Sequence, residues 1–106
     1  MATRVVDSRI IEIVDRYAEL VRKAYGPCGV YLYGSYAKGT NTTDSDIDIS
    51  VVGDRLSGDS LQDLFDLMRI RRQIDTRIEP HPFQTSDFTP SNPYVKDILE
   101  TGIRIA

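Results

Sequence analysis

Residues 29–52 read GVYLYGSYAKGTNTTDSDIDISVV and contain two β-rich runs on either side of a polar loop. The first run, residues 29–34, is rich in β-formers and has glycine at both ends, which predicts a strand buried on both faces. In the second run, residues 46–51, polar and apolar residues alternate strictly, as they do in a half-buried strand. The residues between the runs are mostly polar and turn-prone. We therefore expect two strands joined by a loop with at most one helical turn.

Helical patterns flank this pair of strands. Apolar residues recur with a helical period over residues 9–24, and the same period returns in residues 60–72 and 93–101. Alternation predicts a third strand over residues 74–79, and residues 103–106 are a candidate for a fourth. Helices that alternate with three or four short strands indicate an α/β (α+β) fold with a single sheet flanked by helices. We expect one domain spanning residues 1–106, a length typical of single domains.

The second predicted helix follows a turn at residues 53–58 and carries an apolar stripe and a basic end. Ser60 and Asp63 have the spacing of a capping box at its start. The stripe that we expect to face the core consists of Leu61, Leu64, Phe65 and Met68. The basic residues at its end are Arg69, Arg71 and Arg72. These arginines either interact with the carbonyl end of the helix and with solvent, or they contact phosphate.

The composition excludes several classes of protein. Of the 106 residues, 41% are hydrophobic and 27% are charged, which indicates neither a disordered nor a membrane-spanning chain. The net charge of −3 argues against direct binding of nucleic acid, which usually requires a basic surface. Cys28 is the only cysteine and can form no internal disulfide, which fits a reducing compartment. We therefore expect a cytoplasmic protein without a membrane segment.

Acidic residues recur on one face of the predicted strands. Asp46 and Asp48 are two residues apart on the second strand, so both side chains leave the same face. Asp75 repeats the pattern on the third strand, and Glu79 lies on the same predicted face. If the two strands are neighbours, three carboxylates converge. Such a group can hold two Mg²⁺ ions roughly 3.5–4 Å apart for phosphoryl or nucleotidyl transfer.

Gly34 and Ser35 end the first strand, and ten residues separate Ser35 from Asp46. Glycine lets the backbone approach a phosphate, exposed amides at the start of a helix favour an anion, and the serine hydroxyl adds a donor. Alone, this pair is a weak signal. Its combination with the two aspartates should arise by chance in roughly one chain of this length in a thousand. The spacing therefore predicts a phosphate site beside the carboxylates.

These segments resemble a known family. Residues 34–39, 45–49 and 74–75 are together similar to the minimal nucleotidyltransferases, or MNT proteins, of the DNA polymerase beta superfamily. The resemblance covers the chain from about residue 8 to its end. It implies a nucleotidyltransferase fold with a mixed sheet, and transfer of a nucleotide, most often AMP from ATP, to a hydroxyl group.

The resemblance also implies roles for individual residues. Asp46 and Asp48 hold Mg²⁺, with two ions expected, and Asp75 is the third catalytic and metal-binding carboxylate. In this family the third acidic residue helps to deprotonate the attacking hydroxyl, and Glu79 is the alternative to Asp75 for that role. The glycine and serine of the first loop hold the triphosphate.

A protein partner is the remaining implication. Larger relatives carry a helical domain that positions the acceptor, and residues 76–106 leave no room for one. Stand-alone members are commonly paired with an all-helical HEPN protein, and several pairs act as toxin and antitoxin, with AMP added to a tyrosine of the toxin. The resemblance therefore implies an antitoxin that forms a hetero-oligomer. The alternatives are an interaction protein that neutralises its partner by binding alone, and a polymerase-type enzyme, which the net charge disfavours.

Each candidate residue also has a purely structural interpretation. The two strand aspartates are then solvated charges on an edge strand, and the glycine–serine pair is a plain turn. Asp75 is an ion-pair partner of Arg77 or of the nearby arginines. His81 lies between two prolines, which favours a surface or turn role over catalysis.

Overall fold

The computed structural model describes residues 6–56 and 59–106. Residues 1–5 of the predicted domain, and residues 57 and 58 of the predicted turn, lie outside the described residues. The helices are α1 (Ser8–Tyr25), α2 (Ser35–Lys38), α3 (Ser60–Arg71) and α4 (Pro93–Thr101), with a short 3₁₀ helix at Thr85–Asp87. The strands are β1 (Gly29–Tyr33), β2 (Ile47–Val52), β3 (Ile78–Phe83) and β4 (Ile103–Arg104). None of the described helices is both long enough and apolar enough to cross a bilayer.

The four strands form one mixed sheet in the order β3-β2-β1-β4. β1 is antiparallel to β2 and to β4, whereas β2 and β3 are parallel. A parallel pair needs a long crossover connection, and α3 supplies it between β2 and β3. The predicted fold class, a single mixed sheet with helices, is therefore confirmed, and the optional fourth strand is present.

The core lies between one face of the sheet and helices α1 and α3. The sheet contributes the fully buried residues Val30, Leu32, Ile47, Ile49, Val51 and Ile78. The helices contribute Val14, Tyr17, Val21 and Leu67, which are also fully buried. The Tyr17 hydroxyl donates a 2.8 Å hydrogen bond to the Leu67 carbonyl, so the two helices are joined by a polar contact as well as by packing.

The opposite face of the sheet, here called the site face, carries polar and aromatic side chains. Because paired residues of neighbouring strands share a face, the register aligns Tyr33, Asp48 and Glu79 in one row. The next row consists of Tyr31, Ser50 and His81. Phe88 and Tyr94 pack on this face from the segment after β3. The site face is therefore only partly covered, and acidic groups lie at one end of it.

The predicted third strand was wrong in its bounds. After α3 the chain makes further turns, in which the amides of Ile74 and Asp75 donate to the Arg71 carbonyl at 3.0 and 2.8 Å. The strand begins only at Ile78 and includes Pro80 and Pro82, which predicted a loop. β3 lies at an edge of the sheet, where a residue without an N–H is tolerated.

The predicted start of the second helix was also displaced by one residue. Asp59 is the N-cap, and its carboxylate accepts hydrogen bonds from the amides of Leu61 and Gln62 at 3.1 and 3.2 Å. The predicted apolar stripe was only partly correct, because Leu61 and Phe65 are 60% and 55% exposed. The buried side of α3 is centred on Leu67 instead.

Candidate active site

A sharp turn joins β1 to α2 at Gly34. Its φ of 74° and ψ of −151° belong to a region that is essentially restricted to glycine. A Cβ atom at this position would overlap the Asp48 carboxylate oxygen Oδ2. The backbone of Gly34 therefore runs directly against Asp48, and Ser35 starts α2 beside it. The structure therefore places the predicted glycine–serine pair next to Asp48.

Two aspartates open β2. Asp46 is exposed just before the strand, and Asp48 is half-buried within it. Burial raises the pKa of Asp48, and the negative charges of Asp46 and Glu79 raise it further, while His81 opposes them. Within residues 6–56 and 59–106, neither aspartate forms an ion pair with lysine or arginine. Asp46 and Asp48 therefore carry negative charge that no lysine or arginine among the described residues balances by an ion pair.

Glu79 is the acidic residue that the sheet brings next to Asp48. The two are paired in the register of the parallel strands β2 and β3, so their side chains leave the same face about 5 Å apart. On its other side, the Glu79 oxygen Oε1 lies 3.9 Å from Nη1 of Arg71. Glu79, which the sequence left as the alternative to Asp75, thus lies in the carboxylate row.

Asp75 lies outside this row, in the turn before β3. Its carboxylate accepts 2.8 Å hydrogen bonds from the backbone amide and from Nη2 of Arg77. The hydrogen bond from the Arg77 side chain is the main reason that the pKa of Asp75 is lowered. The prediction that Asp75 lies on a strand was wrong, and the alternative interpretation, an ion pair with Arg77, is confirmed.

Aromatic groups line the site face behind the carboxylates. Tyr33 is buried beside Asp48, and its hydroxyl is hydrogen-bonded to the hydroxyl of Tyr94. The ring of His81 lies 5.9 Å from the Tyr33 ring and 6.0 Å from the Tyr94 ring, measured between centroids. Neither His81 nor Tyr94 was predicted from the sequence to lie near the site. The alternation of Glu79, His81 and Phe83 was the available signal, but the intervening prolines obscured it.

The donor set fits a divalent cation that also binds phosphate. Among the side chains that the structure describes, no group of three or more His, Cys, Asp or Glu is arranged to hold a metal ion by itself. Mg²⁺ is usually bound by one or two carboxylates together with substrate phosphates and water. Asp46 and Asp48, which make no ion pair with lysine or arginine in the described chain, match that mode. The Gly34 backbone leaves no room for a side chain between the turn and Asp48.

A cavity lies away from the candidate site. It has a volume of about 790 Å³ and is lined by residues at the start of β1 and the end of β2, including Cys28, Gly29 and Gly53. The carboxylates lie at the opposite ends of these two strands. The candidate site is therefore identified by its chemistry and register, not by cavity volume.

Comparisons with known proteins show which family and fold this chain is similar to. The family model described as "Nucleotidyltransferase domain" matches residues 14–101. A curated relative from Methanocaldococcus jannaschii, named "Putative protein adenylyltransferase", is 29% identical over 97 residues, which cover 91% of this chain and 93% of the relative.

Two solved structures share the fold. A protein described as a "putative nucleotidyltransferase" from Sulfolobus solfataricus superimposes with a TM-score of 0.63 at 21% identity, over 91% of this chain and 78% of the other. A structure described as "toxin-antitoxin with AMP-PNP" gives a TM-score of 0.58 at 19% identity, over 87% of this chain and 72% of the other.

Proposed function

Since this chain belongs to the nucleotidyltransferase domain family and is a nucleotidyltransferase, we propose that it transfers AMP from ATP to a hydroxyl group of a partner protein. The observation that carries this proposal is the row formed by Asp48 and Glu79 on adjacent parallel strands, with Asp46 beside it and the Gly34 turn against it. The carboxylates of the row are available for metal binding and proton transfer. The adjacent turn at Gly34 supplies backbone N–H donors for phosphate.

In this proposal Asp46 and Asp48 hold Mg²⁺ together with the phosphates of ATP, and Glu79 completes the set, with two ions expected. Bound there, Mg²⁺ would neutralise triphosphate charge and lower the pKa of the acceptor hydroxyl. The raised pKa of Asp48 supports the assignment, because burial and, to a smaller extent, the nearby carboxylates disfavour its ionised form, which a cation would stabilise. Ser35 offers its amide and its hydroxyl to the triphosphate, as the sequence predicts.

The chemical step is a single displacement at phosphorus. The acceptor oxygen forms a bond to the α-phosphorus of ATP while the bond to the leaving pyrophosphate breaks, and the hydroxyl proton passes to a carboxylate. We assign that carboxylate to Glu79 rather than Asp75, because the Asp75 oxygens are occupied by Arg77. The residues of the site face hold the two reactants in line, which is a large part of catalysis in phosphoryl transfer.

The acceptor that we propose is a tyrosine of an all-helical HEPN toxin, which makes this protein an antitoxin. The name of the M. jannaschii relative supports a protein acceptor, and the toxin–antitoxin neighbour with AMP-PNP supports an ATP-like nucleotide and a toxin partner. We further propose that the protein acts in the cytoplasm, since its lone cysteine suits a reducing compartment.

The test is incubation with α-labelled ATP, Mg²⁺ and the protein encoded by the adjacent reading frame, followed by intact-mass measurement of that protein. We expect the partner to gain the mass of AMP, and Asp46→Asn and Asp48→Asn to abolish the gain while circular dichroism shows an intact fold. Asp44→Asn, an exposed change in the same loop, is the matched control.

Two outcomes would contradict the proposal. If both variants transfer label like the wild-type protein, the assigned carboxylates are not catalytic. If both variants still neutralise the partner although no AMP is added to it, the protein acts by binding alone.

A further inference from the structure

Helix α3 has an exposed apolar face that no described part of the chain covers. Leu61 and Phe65 lie one helical turn apart, with more than half of each side chain exposed. Met68 continues the same line along the helix and is half-buried. Large apolar side chains that cluster on a surface often mark a site of protein interaction.

A groove beside this line is positively charged. It has a volume of about 420 Å³ and is lined by Gln62, Phe65, Met68, Arg69, Arg71 and Arg72. Its lining thus contains three guanidinium groups and no carboxylate. Arg69 has a 3.6 Å ion pair with Asp66 in the turn before it, and Arg72 is exposed and forms no ion pair with the described residues. Arg71 is held inside the chain, because its Nη1 donates to the Ile78 carbonyl and its Nε is buried. The groove therefore offers donors for acidic groups next to an apolar surface.

One residue that lines the groove, Arg71, also contacts the edge strand of the candidate active site. Nη1 of Arg71 donates a 2.8 Å hydrogen bond to the Ile78 carbonyl at the edge of β3, and it lies 3.9 Å from the Glu79 carboxylate. A partner that contacts Arg71 in the groove would therefore lie one residue away from the proposed base on β3. The contact between Arg71 and Glu79 links the α3 face to the candidate site. Tyr94 and Leu99, two exposed apolar residues on α4, do not line this groove of arginines.

We propose that the outer face of α3 docks the protein acceptor, through an amphipathic helix that presents apolar side chains to Leu61 and Phe65 and carboxylates to Arg69 and Arg72. This inference rests on the proposed transfer to a protein. A helix suits the surface because the exposed residues run in a straight line along α3, and helices pack side by side along such lines. The charged residues that line the groove are all arginines, so acidic residues of a partner would complement it.

The test uses two fluorescent helical peptides with the same leucine stripe, one with glutamate and one with lysine at the remaining positions. Binding to the full chain is measured by fluorescence anisotropy without nucleotide. We expect the acidic peptide to bind and the basic peptide to fail. Phe65→Ser and Arg72→Glu should each weaken binding at least about tenfold, the effect of losing an interface hot spot. Leu99→Ser and Arg16→Glu, matched changes at exposed positions on α4 and α1, should have little effect.

The remaining outcomes overturn the proposal. They are equal binding of both peptides, no binding of either, or equal losses in the control variants. Single-stranded RNA that competes with the acidic peptide for the groove would assign the arginines to nucleic acid instead. The peptide assay contains no nucleotide, so its failure would not bear on AMP transfer. Transfer is tested separately by the Asp46 and Asp48 variants. A failure of transfer with intact peptide binding would contradict only the proposed function.

Discussion

Asp48, for which we propose a role in metal binding, is unfavourable for the stability of the fold. It lies partly buried on a strand, where aspartate is disfavoured, and two further carboxylates face it. Its pKa is raised, so the fold holds the ionised form at a cost. We infer that the free energy lost in the apo protein is recovered when a cation binds.

The first prediction concerns Asp48→Asn, which removes the charge but keeps the shape. A carboxyl group with a raised pKa in the folded protein destabilises the fold once the pH rises above its unfolded pKa. We therefore expect the variant to have a slightly higher Tm than the wild-type protein at pH 7, with the difference shrinking towards pH 3. Transfer of AMP should fall at least about a hundredfold, the upper end of the loss seen when a residue that only orients a metal ligand is changed. A lower Tm together with retained transfer would contradict both parts.

The second prediction separates Asp75 from Glu79 by matched amide changes. Glu79→Gln should abolish AMP transfer and leave stability nearly unchanged. Asp75→Asn should retain transfer and lose up to about 1 kcal/mol of stability at pH 7, the typical range for an ion pair near the surface. Because Arg77 lowers the pKa of Asp75, its contribution is present above pH 3.8 and is lost as the pH falls through the folded pKa. Urea unfolding at pH 7 and pH 3 measures it, and loss of transfer in Asp75→Asn alone would reverse the assignment.

The residue types of the site could be predicted from sequence better than their positions. Asp46, Asp48 and Gly34 were singled out by local spacing, and the structure brings all three together. The choice between Asp75 and Glu79 depends on where β3 begins. That boundary is set by the turns after α3 and by the register with β2, which are tertiary features that a local pattern does not contain.

At the scale of elements, the turn between β1 and α2 controls the shape of the site. Gly34 accepts a backbone conformation that other residues avoid, and this conformation lets the chain pass beside Asp48. The turn is held by amide hydrogen bonds from Lys38 to the Gly34 carbonyl and from Thr40 to the Ser35 carbonyl, both 3.0 Å. The position of Asp48 therefore depends on the absence of a side chain at residue 34.

The third prediction compares Gly34→Ala with Gly39→Ala. Both glycines have a positive φ, but a Cβ at Gly39 would meet nothing within 4 Å, whereas one at Gly34 would overlap Asp48. We expect Gly34→Ala to cost about 3 kcal/mol and to abolish transfer. Gly39→Ala should cost about 1 kcal/mol and leave transfer nearly intact. Denaturant unfolding and the labelled-ATP assay measure the two effects, and equal costs would show that Gly34 is not in contact with Asp48.

Strand β3 and helix α3 show why element bounds could not be read from the sequence. Pro80 and Pro82 are typical of a loop because proline has no N–H to donate to a neighbouring strand. β3 tolerates both prolines because it pairs with a strand on one side only. On α3 the apolar residues extend around more of the helix than the core can cover. Hydrophobic periodicity located the helix correctly, but it could not show that Leu61 and Phe65 face outwards.

At the scale of the whole molecule, the sheet divides the two tasks of the chain. One face packs against α1 and α3 and provides the core, while the other carries the carboxylate row and the aromatic residues. This division was predictable from the alternation of residues 46–51. The parallel pairing that brings Glu79 beside Asp48 was not, because it requires α3 to cross over between the strands.

The fourth prediction links ligand binding to global stability. Mg²⁺ with AMP-PNP should raise the Tm of the wild-type protein, since a ligand present at 100 times its Kd stabilises the folded state by about 2.7 kcal/mol. EDTA should remove the effect, and Asp46→Asn should prevent it. Differential scanning fluorimetry measures each case. An equal rise in the presence of EDTA would mean that the nucleotide binds without a cation and that the carboxylate row is not its site.

The most direct test of the central claim is paramagnetic broadening by Mn²⁺, used in place of Mg²⁺ with AMP-PNP and followed on backbone amide NMR signals. We expect the signals of residues 34–35, 46–48 and 79 to broaden first, and we expect Asp48→Asn to remove this pattern. Broadening that begins instead at the exposed acids of α1, or that is unchanged in Asp48→Asn, would contradict a cation site between β2 and β3.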